Sequence, residues 1–360
     1  MRVSFSSISD WRTCQQLYAY RYLDGVVAPA PPAVAMGRIL HHYLETFYSH
    51  ANARGVGDAH GEAKAAIVTK YQAEIDGLVY AAQAAGMDAT GLDYQDMLAK
   101  AQRIADRYYR TRGEGDASEE VLFCEHKLVF PLTPEIDLAG IADLVTRRDG
   151  VTALWEHKTT ISIPPQTRRL KDLQILLLAV LLEEAAGVHI DEIVWNYMRT
   201  KEPTVPERLK NGELSVRKDL DTTWDTYLEQ IAIHNLEVDT YLPLRERLAE
   251  REERIFFPRM VLPIMQRETV LLRDFIATAR EVDHAISSDD FMPVRNVSRT
   301  CDWCSYSRLC EAAILGGDEQ ELIDRFYSKR NSESRERANG TSNSYTATTD
   351  DSGAYTEAIL

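Results

Sequence analysis

Four of the five cysteines lie near the two ends of the chain. Cys14 stands alone, whereas Cys301, Cys304 and Cys310 form a Cys-x2-Cys-x5-Cys group. Three thiolates at this spacing could hold one inorganic centre, and Cys14 would complete the four-cysteine set of an iron–sulfur cluster. A zinc site and ordinary small core residues are the alternatives, but no second short Cys or His unit follows, as zinc sites usually require. The fifth cysteine, Cys124, is expected to be a core or edge residue of a strand.

A second group of residues that could do chemistry lies in the middle of the chain. Asp143 precedes an Asp-Gly dipeptide at 149–150, and Glu156, His157 and Lys158 follow it. Residues two apart on a strand share a face, so Glu156 and Lys158 should point together, and a hairpin would bring Asp143 opposite them. Paired carboxylates suit Mg²⁺ or Mn²⁺, and an adjacent ammonium could stabilise charge on a phosphate. The alternative is a surface Glu–Lys pair on an edge strand.

The spacing of apolar residues predicts the elements that position these groups. Alternating runs predict three strands between residues 119 and 163, with the Asp-Gly dipeptide joining the last two as a hairpin. A helix over about 170–186 and a further strand over 192–200 follow. Helical patterns are predicted elsewhere, as two helices within 1–50 and further helices over 60–112, 222–253 and 268–287. Together they predict an α/β core with helices on both sides.

Composition limits the function classes. The chain has 360 residues and a formal charge of −15, which argues against a protein that coats polyanions but leaves a local nucleic-acid groove open. The longest apolar run, residues 175–182, is too short to span a bilayer. The chain begins without an apolar leader, so a cytoplasmic location with reduced thiols and no membrane contact is expected. It contains no Gly-Lys dipeptide, so any phosphate-loop motor must come from a partner.

The middle of the chain resembles the PD-(D/E)xK nuclease superfamily. Asp143, followed by Glu156-x-Lys158 on the next strand, carries this resemblance. The sequence Gly-Arg-Ile-Leu-His at 37–41 is similar to the Gly-x3-His element of the RecB-like branch, which supplies a histidine metal ligand. The sequence Gly-Ile-Ala-Asp at 140–143 is similar to the Gly-x-x-Asp strand of the same branch.

Two further features resemble the RecB-like branch. Gln174 is similar to the glutamine of its Gln-x3-Tyr motif, although Leu178 stands at the tyrosine position. The flanking cysteines resemble those of the subgroup with an iron–sulfur cluster, which includes the AddB nuclease domain and the CRISPR-associated and phage RecB-type exonucleases. The resemblance extends over about residues 3–310.

The resemblance implies a role for each of these residues. The metal ligands would be His41, Asp143 and Glu156. The strand chemistry, apart from the resemblance, adds the backbone carbonyl of His157 as an extra ligand. Lys158 would be the catalytic lysine, acting with Asp143 and Glu156. His42 is the competing choice for the histidine ligand, and the Gly-x3-His spacing favours His41 over it. Glu125 matches a position that is often acidic in the family, with an edge-strand carboxylate as the favoured reading.

The resemblance also implies a fold and an activity. The fold would be a restriction-endonuclease-like core with a mixed central sheet, a helical lobe and an iron–sulfur subdomain built from both termini. The activity would be hydrolysis of DNA by an exonuclease using Mg²⁺ or Mn²⁺ and a 4Fe-4S cluster, acting on single strands or ends in recombination, repair or end processing. DNA contacts are expected from Gln174, Arg199 and Lys201. A structure-specific endonuclease and a non-catalytic DNA-end clamp of a helicase–nuclease complex are the alternatives.

The predicted organisation has five segments. Residues 1–35 are the N-terminal part of the iron–sulfur subdomain, and 36–118 are a helical lobe with the histidine motif. The nuclease core follows over 119–220. The C-terminal helices with the cysteine triplet occupy 221–327, and a disordered tail occupies 328–360. A helicase, a recombinase or an annealing protein is the expected type of partner. Some relatives form rings, which makes a homo-oligomer an option.

Overall fold

The computed structural model describes residues 1–84, 96–165, 169, 172–264 and 270–330. Its α-helices are α1 (Phe5–Thr13), α2 (Gln15–Tyr18), α3 (Pro32–Arg54), α4 (Val56–Ala84), α5 (Met97–Tyr108), α6 (Glu114–Asp116), α7 (Leu173–Ala186), α8 (Trp224–Ile233), α9 (Leu242–Phe256), α10 (Val270–Ile286), α11 (Ser307–Leu315) and α12 (Glu319–Phe326). Its strands are β1 (Arg2–Val3), β2 (Val26–Val27), β3 (Glu120–Thr133), β4 (Ile136–Arg148), β5 (Val151–Thr160), β6 (Glu192–Arg199), β7 (Arg259–Pro263) and β8 (Ser328–Lys329).

The central sheet is mixed. Strands β3, β4 and β5 follow one another as an antiparallel meander, and β1 adds a short parallel pairing to the start of β4. Strand β6 lies parallel to β5, with α7 in the connection between them, and β7 closes the sheet antiparallel to β6. The protein therefore has a mixed α/β fold with a central sheet flanked by helices, consistent with the predicted restriction-endonuclease-like core.

The predicted hairpin between β4 and β5 is present. Asp149 and Gly150 have φ values of 51° and 82°, the two positive values that a tight primed turn requires. The turn fixes the register, in which Arg148 pairs with Val151 and Leu144 pairs with Trp155. This register brings the strand position of Asp143 opposite the Glu156 region, as the sequence predicts.

Different helices cover the two faces of the sheet. Helices α3, α4 and α5 share a buried core with Leu144 and Trp155, whereas α1, α7 and α10 share one with Leu154 and Trp195. Neighbouring residues of β5 therefore serve opposite cores, because side chains alternate along a strand. The end of α1 is joined to the far end of the chain, since the ring of Trp11 stacks on that of Phe291 at 5.6 Å.

Close packing of α7 on the sheet depends on a glycine. A Cβ atom at Gly140 would lie 2.7 Å from a terminal methyl of Leu178 and 2.9 Å from one of Leu181, so a larger residue would force these side chains to move. The helix is apolar on most of its surface, and the side chain of Asp172 caps its first turn by accepting a hydrogen bond from the backbone of Gln174 at 3.2 Å. The glycine of the Gly-x-x-Asp element thus sets how closely α7 approaches β4, the strand of Asp143.

Several predicted boundaries differ from the structure. Helix α3 begins at Pro32, before the predicted start of the histidine lobe at 36, because proline is well suited to a first helical turn. Strand β7 was not predicted, and the region 222–253 contains two helices, α8 and α9, with a short 3-10 turn between them. The predicted disordered tail begins too early, since Ser328–Lys329 pair with β2 as strand β8. The rest of that tail, 331–360, lies outside the described residues.

Across the described residues, none of the helices is both long enough and apolar enough to cross a membrane.

Candidate functional site

Three side chains from α3, β3 and β4 converge at one end of the sheet. His41, Glu125 and Asp143 each offer one ligand atom, and these atoms lie within 4.8 Å of one another. The Nδ1 atom of His41 is 3.7 Å from a carboxylate oxygen of Glu125 and 3.8 Å from one of Asp143. Within the described ranges this is the one group of three such residues that could hold a metal ion.

The glycine of the Gly-x3-His element brings α3 against the sheet. A Cβ atom at Gly37 would lie 3.1 Å from the hydroxyl oxygen of Thr159, one residue beyond Lys158 on β5. His41 follows one helical turn later on the same side of α3, which directs it towards Asp143. The neighbouring His42 is instead 2.8 Å from Glu45, within its own helix. The structure therefore brings His41, and not His42, to the carboxylates.

Glu125 belongs to this group of three ligands, although the sequence favoured an ordinary carboxylate on an edge strand. It lies on β3 between Cys124, which pairs with Leu144, and His126, which pairs with Ala142, so its strand position faces Asp143. Its backbone has φ of 44°, a left-handed conformation that costs a non-glycine residue about 1–2 kcal/mol. The meander pattern could have revealed it, because Glu125 is the β3 residue opposite Asp143.

Glu156 and Lys158 project together from β5, as predicted. Lys158 donates a hydrogen bond to one carboxylate oxygen of Glu156, whereas the other oxygen is buried and has no partner among the described residues. Burial, reinforced by the charge of Asp143, raises the pKa of Glu156 to about 7. Burial lowers the pKa of Lys158, but the carboxylate of Glu156 outweighs it and leaves this pKa raised. A buried carboxylate oxygen that has no partner and lies beside other acids is a suitable ligand for a divalent cation, which offsets the repulsion between the negative charges.

The pKa values of Asp143 and His41 are raised as well. Burial raises the pKa of Asp143, although the nearby His41 and the backbone N–H of His157, which donates to its Oδ2 atom at 2.8 Å, act in the opposite direction. Burial lowers the pKa of His41, but the carboxylates of Glu125 and Asp143 raise it further than burial lowers it. The donor set of one imidazole and several carboxylates fits Mg²⁺ or Mn²⁺.

A buried polar network contacts β5 on the face opposite to Glu156. The side chain of His157 points away from Glu156, accepts a hydrogen bond from Asn196 at 3.1 Å, and stacks on Tyr48. Burial lowers the pKa of His157 well below its usual value, so its imidazole is neutral. Asn196 in turn accepts a hydrogen bond from Arg259, whose guanidinium forms a bidentate pair with Asp116 at 2.6 Å. The sequence does not indicate this network, because its members are far apart along the chain.

The residues predicted to contact DNA occupy different surroundings. Gln174 lies in the first turn of α7, and its backbone N–H donates a hydrogen bond to Asp172. Arg199 and Lys201 both pair with Asp221, at 3.0 Å and 3.2 Å, so the charges of both are partly balanced within the protein. Leu178, at the motif position of tyrosine, is buried over Gly140.

The four cysteines of the sequence pattern line one cavity. Cys14 lies at the break between α1 and α2, Cys301 lies within the 3-10 turn Arg299–Trp303, Cys304 follows that turn, and Cys310 lies on α11. All four border a cavity of about 510 Å³, although no three of their sulfur atoms lie within 4.8 Å of one another. The fifth cysteine lies elsewhere, on β3.

Backbone contacts hold the two ends of the chain together around this cavity. The N–H of Asn296 donates to the sulfur of Cys14 at 3.4 Å, and its side-chain amide donates to the carbonyl of Thr13 at 2.9 Å. Burial raises the pKa of Cys304, and the neighbouring thiols of Cys14 and Cys301 raise it further. Like charges on neighbouring thiolates repel one another, and a positively charged inorganic centre bound by all four would relieve that repulsion.

Comparison with known proteins identifies the family. The model of the PD-(D/E)XK nuclease superfamily matches residues 2–311. The chain belongs to the PD-(D/E)XK nuclease superfamily. The superfamily assignment made from the sequence is thereby confirmed, and the nuclease is expected to use a divalent metal, for which His41, Glu125 and Asp143 provide a candidate site. The narrower assignment to the RecB-like branch stays a prediction.

Other comparisons add little about function. This nuclease superfamily member is similar in structure to a candidate exonuclease from Eubacterium rectale, with 13% sequence identity and a TM-score of 0.36 over 75% of this chain and 86% of the other. A likeness this distant carries no argument about substrate. A search of curated proteins found no match.

Proposed function

We propose that this nuclease is a Mg²⁺- or Mn²⁺-dependent deoxyribonuclease that digests DNA from ends, with a preference for single strands. One observation carries the proposed metal-dependent cleavage: the ligand atoms of His41, Glu125 and Asp143 converge beside the orphaned carboxylate oxygen of Glu156, with Lys158 next to it. A cluster of this kind is costly to maintain without a cation, and the pair with Glu156 places the ammonium of Lys158 beside it. The choice of DNA ends and single strands rests on the resemblance to the RecB-like exonucleases.

The residues have distinct roles in the proposed hydrolysis. Asp143 and Glu156 would hold the cation together with His41, and Glu125 and the carbonyl of His157 would add ligands. A bound divalent cation supplies Lewis-acid stabilisation of the charge that develops on the phosphate. Lys158 would orient the attacking water and stabilise the same charge through its ammonium group. The N–H of His157 keeps Asp143 in place through its hydrogen bond.

The test is digestion of end-labelled single- and double-stranded DNA with and without Mn²⁺. The wild-type protein should release labelled nucleotides only when metal is present. Lys158→Ala should lose cleavage by at least about 100-fold while still binding DNA, because a positioned charge contributes this much to a transition state. Lys329→Ala, a change on exposed strand β8, is the matched control and should cleave normally. Full cleavage by Lys158→Ala would refute the role given to that residue.

Closed circular DNA separates the proposal from its alternatives. An exonuclease leaves closed circles intact and digests them after linearisation, whereas a structure-specific endonuclease nicks suitable circles. A non-catalytic clamp would bind ends and cleave nothing with any metal. The presence of Asp143, Glu156 and Lys158 together favours catalysis, since a clamp needs none of their metal chemistry.

We also propose that the four-cysteine cavity holds a 4Fe-4S cluster. Cys14, Cys301, Cys304 and Cys310 border the same cavity, which fits a shared centre. A single tetrahedral zinc ion would bring its sulfurs to about 3.8 Å from one another. No three of these sulfurs lie within 4.8 Å of one another, which is wider than the spacing that a bound zinc ion would give. The cluster would link α1 to the region after α10 and so stabilise the fold.

Metal analysis of purified protein tests the cluster. We expect about four iron atoms per chain, a brown colour and no stoichiometric zinc. Cys301→Ser should lose the iron and unfold at a lower temperature, whereas Cys124→Ser, at the cysteine outside the cavity, should keep it. One equivalent of zinc without iron in aerobically and anaerobically prepared protein would overturn the cluster assignment.

The biological setting we propose is DNA recombination, repair or end processing in the cytoplasm. A helicase, a recombinase or an annealing protein would supply the DNA end, since the sequence contains no Gly-Lys dipeptide for a phosphate loop of its own. Co-purification with such a protein, and stimulation of digestion on duplex ends by it, is the expected result. Equal digestion of duplex ends with and without the partner would count against this arrangement.

A further inference from the structure

A second cavity adjoins the catalytic group. It has a volume of about 230 Å³, and its wall includes Lys158, Thr159, Arg169, Asp172 and Tyr197. One ordered water needs about 10–15 Å³ on this measure, so the cavity has room for a much larger group. Lys158 belongs both to this cavity and to the pair with Glu156. A molecule in the cavity would therefore lie next to the reacting phosphate.

Arg169 is a buried cation that has no acidic partner among the described residues. It is 7% exposed, its Nε donates to the hydroxyl of Tyr197 at 2.8 Å, and its Nη1 is 3.1 Å from the sulfur of Met260. Among the residues that the structure describes, no carboxylate oxygen lies within 4.0 Å of its guanidinium. Burying an uncompensated charge is costly, so a guanidinium in this position favours an anion from outside the protein.

Asp172, the one acid among the described residues of the cavity wall, already accepts a hydrogen bond. Asp172 accepts the hydrogen bond that caps α7, and its oxygens are not paired with Arg169. The guanidinium of Arg169 covers one face of the Tyr197 ring, at 4.6 Å from its centroid, so that face is closed to stacking of a nucleobase. The cavity thus fits an anion better than it fits a base.

We infer that the cavity between Lys158 and Arg169 binds a phosphate group of the DNA strand next to the phosphate that is cleaved. The inference rests on the proposed nuclease function. Tyr197 and Met260 hold the guanidinium in a fixed orientation, and no acceptor for its Nη2 is seen among the described residues. A fixed guanidinium is a strong donor to phosphate oxygens. The phosphate could be an internal phosphodiester or a terminal phosphate, and the two have the same chemistry in the cavity.

The main experiment compares wild type with Arg169→Met in kinetics on a labelled oligonucleotide. We expect KM to rise about 10- to 100-fold, the worth of a hydrogen bond to a charged group, with kcat within about twofold. Arg273→Met, a change of the same type at an exposed position of α10, is the control and should leave both constants unchanged. An unchanged KM for Arg169→Met would overturn the inference.

A second measurement does not depend on cleavage. In metal-free buffer, inorganic phosphate should raise the melting temperature of wild type and of Arg273→Met, but not that of Arg169→Met. Without phosphate, Arg169→Met should be at least as stable as wild type, because it removes an uncompensated buried charge. A destabilised variant with the phosphate response of wild type would make Arg169 a structural residue and refute the site.

The two measurements separate failure of the site from failure of the proposed function. If DNA is not cleaved but the phosphate response disappears in Arg169→Met, the nuclease proposal fails and the phosphate site stands. If DNA is cleaved and Arg169→Met changes neither KM nor the response, the nuclease proposal stands and the site fails. Oligonucleotides with 5′-phosphate, 3′-phosphate or free hydroxyl ends identify the source. A KM effect restricted to one phosphorylated end indicates a terminal phosphate, and an equal effect on all three indicates an internal one.

Discussion

Replacing Glu156 with glutamine should stabilise the metal-free protein at alkaline pH. The glutamate is buried, and its pKa is raised to about 7. The folded protein therefore binds this proton more tightly than the unfolded chain, in which the pKa is about 4.5. The stability that the proton contributes is full below pH 4.5 and is lost as the pH rises through 7. Glu156→Gln has no such loss, because an amide does not titrate.

The size of this effect follows from the two pKa values. Between pH 5 and pH 8 the wild type should lose about 2–3 kcal/mol of unfolding free energy relative to Glu156→Gln. The assay is urea unfolding of both proteins in EDTA at the two pH values, with the change in midpoint difference as the readout. Glu246→Gln, at an exposed position of α9, is the control and should show the pH dependence of wild type.

Metal should reverse the order of stability. At pH 8, Mn²⁺ should raise the midpoint of wild type strongly, because it binds the folded carboxylates, and should raise that of Glu156→Gln much less. Parallel midpoints for wild type and Glu156→Gln from pH 5 to pH 8 would refute the reasoning, since they would mean that the buried carboxylate does not exchange its proton on folding.

Three further predictions concern residues around the site. Gly140→Ala should cost about 1–3 kcal/mol of unfolding free energy, measured in urea, because its methyl group would overlap the α7 leucines. Arg259→Met should cost about 3–5 kcal/mol, since it leaves the carboxylate of Asp116 buried without its partner. His41→Ala should weaken Mn²⁺ binding at least tenfold by calorimetry, whereas His42→Ala should not change it, and equal weakening by both would contradict the placement of His41.

The sequence predicts the parts of the site that depend on local rules. The Asp-Gly turn fixes the β4–β5 register, and alternation along a strand places Glu156 and Lys158 on one face. One helical turn separates Gly37 from His41, which suffices to aim the histidine once the glycine contacts the sheet. These relations need only a few residues of sequence, so pattern reading recovers them.

The rest of the site depends on contacts between distant segments. Glu125 lies opposite Asp143 by the β3–β4 register, which the meander pattern indicates, but its left-handed backbone is not indicated by its residue type. Strand β7 is short and pairs with β6, which ends about 60 residues earlier, so no local alternation reveals it. Arg259 and Asp116 are 143 residues apart, and only the folded chain shows that they form a buried pair.

The packing of Trp11 on Phe291 has a consequence for how the protein is made. Contacts at this junction join residues 280 positions apart, such as Cys14 and Val294. At a synthesis rate of about 5–20 residues per second, a ribosome needs roughly 15–60 s to produce the second partner after the first. During that interval Trp11 and Tyr18, both buried in the finished protein, have no partner from the later segment. The nascent chain should therefore be a substrate for chaperones, and slower translation should lower the yield of folded enzyme.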